Sequence, residues 1–340
     1  MTSTFKKPLL IVVTGPTASG KTSLAIELAE HFGTEIVSAD SRQLYRDLPI
    51  GTAAPTADEL ARVPHHLVGV LGLADYYSAA NFEADALRIL ADIWTRHDVA
   101  VVCGGSMMYV DALVKGIDDI PTVSAATRAY VLRLLQEQGL EAVLAQLQIL
   151  DPKYYAEVDR ANTRRVVHGL EICLEAGRPY SELRTGAGKQ RDFDVVKFAI
   201  ARPREELFDR INRRVDAMMA AGLEAEARRA LAQGDFNSLN TVGYKEMAAY
   251  FRGDMDYDTA VARIAKNTRV YAKKQLTWLK KDEQVVWVRN AAEALSVLSK
   301  IIEEFLTARG RARRRRACAS RRGATDTHCR FSARRAGRSA

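Results

Sequence analysis

Hydrophobic residues in the first hundred positions form short continuous runs, separated by stretches in which they recur every three or four positions. The runs are Leu9–Thr14, residues 35–39 and Val99–Cys103. Runs of this kind are typical of parallel strands that are buried on both faces. Ser23–Ala29 has apolar positions at helical spacing, and a second helical stretch ends near Trp94. We therefore predict a parallel sheet whose strands alternate with helices.

The pattern changes after about residue 120. Residues 124–150 and 162–176 are helical in pattern with few β-branched runs, which predicts a helical insertion. The strand pattern returns at Phe193–Ile200. Apolar positions from Leu207 to Met218 then mark an amphipathic helix.

A two-faced helix is predicted near residues 258–280, followed by a short strand at 284–288 and a helix at 291–306. One face of the two-faced helix carries Val261, Ile264, Tyr271, Gln275 and Leu279. The opposite face carries Lys266, Arg269, Lys273 and Lys280, and Lys274 and Lys281 broaden this basic surface. A solvated lysine face and a surface for RNA both fit this pattern.

The first predicted strand and helix enclose Gly15–Thr22 (GPTASGKT), which fits the phosphate-loop pattern G-x-x-x-x-G-K-[ST]. Glycines let the backbone approach an oxyanion, and the helix N-terminus adds partial positive charge. Lys21 adds a full charge, and the Thr22 hydroxyl can hold Mg²⁺. The predicted phosphate-binding residues are Gly15, Pro16, Thr17, Ala18, Ser19, Gly20, Lys21 and Thr22.

Two further strand ends are informative. Asp40 follows the second strand, at the sheet edge where ligands of parallel sheets bind. A helix cap and an active carboxylate are both compatible with that position. The third strand ends at Gly104-Gly105-Ser106 without the acidic residue that an ordinary NTPase magnesium site uses there, which argues against an ATPase or GTPase.

Composition excludes several classes. No apolar run approaches the ~18 residues of a membrane helix, and the start of the chain leaves no room for a signal peptide, so we expect a cytoplasmic protein. The four cysteines form no C-x-x-C pair, and Cys103 fits a small core residue. Residues 50–55 and 63–67 are predicted loops, where the adjacent His65 and His66 do not suggest a metal pair.

The net charge of +8 is unevenly distributed. Residues 309–340 contain twelve Arg, no Lys and one acidic residue, so residues 1–308 carry 38 basic and 41 acidic side chains. We predict that 309–340 is a disordered tail, able to attach non-specifically to RNA or without function. A nucleic-acid role for the rest of the chain must depend on local basic patches.

Taken together, residues 8–289 resemble the tRNA dimethylallyltransferases, also called tRNA isopentenyltransferases. The matching motifs are Gly15–Thr22, Asp40–Gln43 (DSRQ), Ile50–Ala53 (IGTA), Pro64–Leu67 (PHHL), Tyr77–Ala79 (YSA), Gly104–Gly105, Asn162–Arg165 with Leu170–Glu171, Val242–Tyr244 (VGY) and Arg269–Trp278 (RVYAKKQLTW). The ordered series is far more specific than the phosphate loop alone. The sequence departs from the common family pattern at Gly69, Ala54, Asn81, Ser106, His168 and Gly169.

The resemblance implies an α/β fold: a P-loop NTPase-like parallel sheet core at 5–118 and 193–308, with a helical insertion domain at 119–192 that grips the anticodon stem-loop. It implies transfer of a dimethylallyl group from dimethylallyl diphosphate to N6 of adenosine 37, just 3′ of the anticodon, in tRNAs reading codons that start with U. The phosphate loop would hold the donor's diphosphate. Mg²⁺ is the expected cofactor, tRNA the expected partner, and a monomer the expected state.

Residue roles follow from the same resemblance. Asp40 would act as general base, while Lys21, Thr22 and Mg²⁺ would stabilise the leaving diphosphate. The target adenosine would flip out of its stack. The expected tRNA contacts are Asp40, Ser41, Arg42, Gln43, Ser106, Arg128, Thr163, Arg164 and Arg165. Weaker candidates for phosphate contacts are Lys245, Arg269, Lys273, Lys274 and Gln275.

Three alternatives stay open at this point. A small-molecule P-loop kinase would hydrolyse ATP and carry an arginine-rich lid. An adenylate isopentenyltransferase would prenylate free nucleotide and would need neither the insertion nor the basic helix. A non-enzymatic RNA-binding protein would need neither the phosphate loop nor Asp40.

Overall fold

The computed structural model describes residues 7–301 of the 340-residue chain. The predicted tail at 309–340 and the end of the helix predicted at 291–306 lie outside the described residues. Within residues 7–301, no helix combines the length and the apolar character that a membrane span requires.

Six parallel strands form one sheet in the order β3-β2-β4-β1-β5-β6. Their bounds are β1 Leu9–Thr14, β2 Ile36–Ser38, β3 His65–His66, β4 Val99–Cys103, β5 Asp194–Ile200 and β6 Val285–Val288. The predicted parallel α/β fold is confirmed. The loop predicted at residues 63–67 is wrong in part, because His65 pairs with Ile36 in a two-residue edge strand too short and too polar to leave an apolar pattern.

Helices connect and follow these strands. Their bounds are α1 Lys21–Phe32, α2 Ala57–Arg62, α3 Ala79–Ile93, α4 Met107–Lys115, α5 Ala125–Leu150, α6 Pro152–Glu157, α7 Thr163–Ala176, α8 Tyr180–Leu183, α9 Arg204–Ala220, α10 Leu223–Leu231, α11 Tyr244–Phe251 and α12 Tyr257–Leu279. A short 3-10 helix spans Asn237–Leu239, and residues 291–301 are helical.

The central strand β1 is buried along its whole length, with β4 on one side and β5 on the other. Leu9, Ile11 and Val13 have no exposed surface and pack in one cluster with the apolar face of α1. Complete burial of each such side chain stabilises the fold by about 1.5–3 kcal/mol. This packing explains why the first apolar run forms the middle of the sheet.

The strand register places three loops at one edge of the sheet. Cys103 of β4 pairs with Val13 of β1 on one side and with Ser38 of β2 on the other. The three strands therefore end level with one another. The segments that leave them, Gly15–Gly20, Asp40–Gln43 and Gly104–Ser106, start from neighbouring points at the carboxyl edge.

The chain divides into two compact units. One contains the sheet and comprises the described residues up to Tyr76, Ala86–Val110 and those from Asp192 onward. The other comprises Tyr77–Asp85 and Asp111–Arg191. The assignment of residues 119–192 as a domain that grips a stem-loop stays a prediction.

The second unit has a helical core of its own. Val131 and Leu134 of α5 share one buried cluster with Val166 and Leu170 of α7. The backbone of α5 is non-helical at Gly139 (φ 78°, ψ −178°), so the helix predicted over residues 124–150 is kinked there.

Candidate active site

The phosphate loop has the backbone that its sequence requires. Gly15 (φ 150°) and Gly20 (φ 99°) adopt positive φ values that are costly for residues with a Cβ. A Cβ at Gly15 would also lie only 2.9 Å from Oγ of Ser19. Gly20 precedes the first residue of α1 and offers no side-chain cap, so the first-turn N–H groups are left for an anion.

A first cavity of about 380 Å³ opens over this loop. Its walls are Thr17, Ala18, Gly20, Lys21 and Thr22 of the loop and α1, Asp40, Gln43 and Thr52, and Arg210, Arg213 and Arg214 of α9. Burial lowers the pKa of Lys21, and the Asp40 carboxylate partly opposes that effect. Burial likewise lowers the pKa of Arg214, and the Asp40 carboxylate again partly opposes that effect. The cavity is a concave, cation-lined site of the kind that holds a polyanion.

The α9 arginines were not indicated by the sequence analysis, which assigned only the apolar face of this helix. Arg210 donates from Nε to the Ala18 carbonyl at 2.8 Å, and Arg214 donates from Nη1 to Oγ1 of Thr17 at 3.2 Å. Arg202, two residues beyond β5, donates from Nε to the Ser19 carbonyl at 2.5 Å. The sequence did carry one signal for these residues: arginines cluster on the polar face of a helix that begins just after a strand ends.

Asp40 has two environments. Its Oδ1 accepts the backbone N–H of Arg42 at 3.0 Å, which closes a local turn. No helix begins directly after Asp40, so the helix-cap interpretation is wrong. The residue also lines the first cavity, and its role as an active carboxylate stays a prediction. The adjacent Ser41 donates its N–H to Oγ of Ser106 at 2.8 Å, and Ser106 Oγ–H donates to Oγ of Ser41 at 3.0 Å. Ser106 thereby holds the Asp40 segment in place.

A second cavity of about 300 Å³ shares Thr17, Lys21, Asp40, Thr52 and Arg214 with the first. Its further walls include the apolar residues Val215, Met218, Leu223, Val242, Ile264 and Tyr271, and the polar residues Ser41, Arg42, Asn240, Thr241, Lys245, Thr268 and Gln275. The two cavities therefore meet at Lys21 and Asp40. The first is cationic, and the second offers apolar walls beside a carboxylate.

Arg42 and Gln43, predicted as tRNA contacts, both lie at this site but also make internal bonds. Arg42 donates from Nη1 to the carbonyls of Asn237 and Ser238 at 3.3 and 3.4 Å. Gln43 donates from Nε2 to the Ala53 carbonyl at 2.9 Å. Their roles toward tRNA stay predictions.

The five weaker candidates differ in exposure. Lys245 is exposed and lines the second cavity. Lys273 and Lys274 are exposed on α12, and Arg269 donates from Nη1 to Oδ1 of Asn212 at 2.5 Å. Gln275 is 2% exposed and is hydrogen-bonded at both amide atoms, so its geometry favours a structural link over a phosphate contact.

The remaining predicted tRNA contacts lie in the other compact unit. Arg128 is half-buried on α5, with Nε 3.7 Å from Glu171. Asn162 caps α7 by accepting the N–H of Arg165, and the helix begins at Thr163. Arg164 and Arg165 are exposed in that first turn. The unit that contains the phosphate loop therefore does not include Arg128, Thr163, Arg164 or Arg165.

The donor set for a cation is small. Among residues 7–301, no group of three His, Cys, Asp or Glu side chains could hold a metal ion. Thr22 nevertheless presents its hydroxyl in the first cavity, beside Lys21. Mg²⁺ commonly binds one or two protein oxygens together with substrate phosphate and water, so the Thr22 hydroxyl would suit a Mg²⁺ that arrives with a phosphate substrate.

The chain is similar to a known family of proteins. The family model described as IPP transferase matches residues 43–282. A curated relative, tRNA dimethylallyltransferase 1 of Bacteroides thetaiotaomicron, is 55% identical over 280 residues, which are 82% of this chain and 91% of the relative.

Two solved structures are also similar. The full-length tRNA isopentenylpyrophosphate transferase of Bacillus halodurans is 32% identical, with a TM-score of 0.63 over 90% of this chain and 99% of that one. A eukaryotic dimethylallyltransferase acting on tRNA has a TM-score of 0.72 over 87% of this chain and 80% of that one; at 24% identity it supports the fold alone. With a family match over most of its length and a relative above half identity, the chain belongs to the IPP transferase family.

Proposed function

We propose that the protein transfers a dimethylallyl group from dimethylallyl diphosphate to N6 of adenosine 37 in tRNA and releases diphosphate. Family membership and the tRNA dimethylallyltransferase names of its relatives support tRNA prenyl transfer. The observation that carries the finer proposal is the meeting of a cation-lined cavity with a partly apolar cavity at Lys21 and Asp40.

The first cavity suits the leaving group. Negative charge grows on the diphosphate as the carbon–oxygen bond breaks, and preorganised donors in a buried site stabilise such charge best. Lys21, Arg210 and Arg214 supply positive charge there, and the first-turn amides of α1 add donors. Thr22 would hold Mg²⁺, whose chemistry when bound is to neutralise phosphate charge.

The second cavity suits the acceptor. The lone pair of an adenine N6 amine is delocalised into the ring, so the amine needs a positioned base as it attacks. One oxygen of Asp40 is engaged by the Arg42 N–H, which leaves the other oxygen for the amine proton. In the step, the bond from N6 to the allylic carbon forms, the carbon–oxygen bond to diphosphate breaks, and Asp40 takes the N6 proton.

Two features favour tRNA over a free nucleotide as acceptor. The exposed basic side chains of α12 offer contacts to a phosphate backbone. Tyr271 lines the second cavity and is 40% exposed, so its ring is available for stacking with a flipped base. That the protein is a monomer, and that it acts in the cytoplasm, both stay predictions.

A P-loop kinase is the strongest alternative, because the α9 arginines could also serve a γ-phosphate. The end of β4 at Gly104-Gly105-Ser106 lacks an acidic residue, and the apolar walls of the second cavity have no use in phosphoryl transfer to a polar acceptor. Both observations favour prenyl transfer.

One experiment separates the alternatives. The purified protein and Mg²⁺ are incubated with dimethylallyl diphosphate and either an anticodon stem-loop, AMP or no acceptor, and products are identified by mass spectrometry. We expect a prenylated stem-loop with the added mass on adenosine 37. Prenylated AMP alone, or folded protein that forms no prenyl product, contradicts the proposal.

A further inference from the structure

Gln275 is a buried polar side chain of α12 with both amide atoms engaged. Its Oε1 accepts the backbone N–H of Thr17 at 2.9 Å, and its Nε2 donates to the Gly105 carbonyl at 2.9 Å. With 2% of its surface exposed, it is closed off from solvent. One side chain therefore joins α12, the phosphate loop and the turn after β4, all within the same compact unit.

The chemistry of this link is particular to an amide. A primary amide presents an acceptor and a donor on one planar group, and the two backbone partners of Gln275 require one of each. A carboxylate would lack the donor for Gly105. An apolar side chain would leave both backbone groups without this partner.

The surrounding backbone is shaped to admit the amide. A Cβ at Gly105 would lie 2.5 Å from Nε2 of Gln275, whereas the next nearest atoms, the Gly15 carbonyl oxygen and Cε of Lys21, would be at 3.5 and 3.6 Å. A side chain at position 105 would thus collide with Gln275 and little else.

Both ends of the link lead to the reacting groups. Thr17 also accepts a hydrogen bond from Arg214, one of the cations of the first cavity. Gly105 precedes Ser106, whose hydroxyl accepts the N–H of Ser41 beside Asp40. Movement of Gln275 would therefore shift the diphosphate site and the Asp40 segment together.

We propose that Gln275 is a positioning residue for prenyl transfer: it sets the phosphate loop and the Gly105 turn at a fixed separation before substrate binds. This inference rests on the proposed function. Gln275 acts through Thr17 and Gly105 and does not contact the tRNA backbone. The exposed Lys274 beside it is the better candidate for such a contact.

Two variants break the same contact from opposite sides. Gln275→Met keeps the length of the side chain and removes both hydrogen bonds, while Gly105→Ala pushes the amide aside. Each should lower kcat/KM for dimethylallyl diphosphate by about 10²-fold, the loss that a displacement of about 1 Å can cause. Each should weaken binding of inorganic diphosphate in calorimetry, and should change the stem-loop Kd much less than the diphosphate Kd. The double variant should be no worse than either single variant, because the contact is lost only once.

Lys274→Ala is the matched contrast and should weaken stem-loop binding with diphosphate affinity unchanged. The inference is overturned if Gln275→Met behaves like Lys274→Ala, or if its donor kinetics equal those of the unaltered protein. If far-UV circular dichroism shows that Gln275→Met does not fold, Gly105→Ala decides, since its added methyl meets only the end of a flexible side chain. Absence of prenyl product from the unaltered protein would contradict the proposed function instead, and the diphosphate affinities of the variants would still test the link.

Discussion

The Asp40 side chain is placed both to close a turn and to face the two cavities. Its Oδ1 bonds the Arg42 N–H, and it lines both cavities at the point where they meet. From the sequence, the strand-end position of Asp40 was equally compatible with a cap and with an active carboxylate. In the structure Asp40 closes a turn and caps no helix, and its role as an active carboxylate stays a prediction.

Asp40→Ala should therefore lower kcat by about 10²–10⁴-fold, the usual contribution of a positioned base. The anticodon stem-loop should bind with nearly unaltered Kd, because the contact surface on α12 is untouched. Single-turnover rates and fluorescence binding with a labelled stem-loop measure the two quantities. Asp40→Asn is the matched control, since it keeps the turn acceptor and removes only the base. Normal turnover in Asp40→Asn would show that another group takes the proton.

The phosphate loop itself was predictable because its spacing is dictated by backbone geometry. The arginines that complete the cavity were not predictable as a group, because they come from α9, almost two hundred residues later in the chain. Charged residues on the polar face of an amphipathic helix ordinarily face solvent. Only the fold shows that Arg210 and Arg214 of that face meet the loop.

Arg214→Ala should raise KM for dimethylallyl diphosphate about 10–100-fold, because hydrogen bonds to charged groups contribute about 1.5–3 kcal/mol. The neighbouring Arg213→Ala should have a smaller effect, since Arg213 is 69% exposed and pairs with Asp209 at 2.7 Å. Steady-state kinetics at saturating stem-loop gives both values. Equal effects of the two substitutions would mean that burial at position 214 does not matter for the donor.

Among the elements, those with a continuous apolar run or a clear helical period were predicted well. The buried faces of β1 and α12 follow from the sequence, as Ile264, Gln275 and Leu279 are all buried on the predicted side. On the same face, Val261 is only half-buried, and Tyr271 is 40% exposed at the second cavity. The edge strand β3 depends on its pairing with β2, so no local sequence pattern predicted it.

Glu35, just before β2, links three elements at the other end of the sheet. Its carboxylate accepts bonds from Nε2 of His66 in β3 at 2.7 Å and from Nη2 of Arg96 after α3 at 2.8 Å, and Nε2 of His97 lies 3.8 Å away. Burial opposes the charged form of Glu35, but the hydrogen bonds from Arg96 and His66 outweigh burial and lower its pKa. Glu35 therefore pairs with Arg96 and His66 more strongly as a carboxylate than as a protonated acid.

A lowered pKa in the folded state fixes the sign of the pH effect. Glu35 contributes its full stabilisation above its unfolded pKa of about 4.3 and loses it as the pH falls through the lower folded value. We expect Glu35→Gln to lower Tm at pH 7 and to match the unaltered protein more closely below about pH 4. Thermal melts of both proteins from neutral to acidic pH test this. A Tm difference that does not shrink in acid would contradict the role of ionised Glu35.

At the scale of the whole molecule, charge and chemistry are separated along the chain. Every residue that lines the two cavities lies between Thr17 and Gln275, in the part of the chain with a small net negative charge. The excess of positive charge comes entirely from residues 309–340. The overall charge of +8 is therefore a poor guide to the charge around the two cavities.

Deletion of residues 309–340 separates the positive charge of this segment from that of the cavity residues. Turnover of the anticodon stem-loop should be unchanged, because the deletion removes none of the cavity residues. Affinity for an unrelated RNA should fall and should depend less steeply on salt, because each lost phosphate contact reduces the slope of log K against log salt by about 0.7–0.9. Filter binding across a salt series and parallel kinetics give both measurements. A large loss of turnover at constant fold would show that the arginines of this segment take part in substrate recognition and that the site is larger than the two cavities.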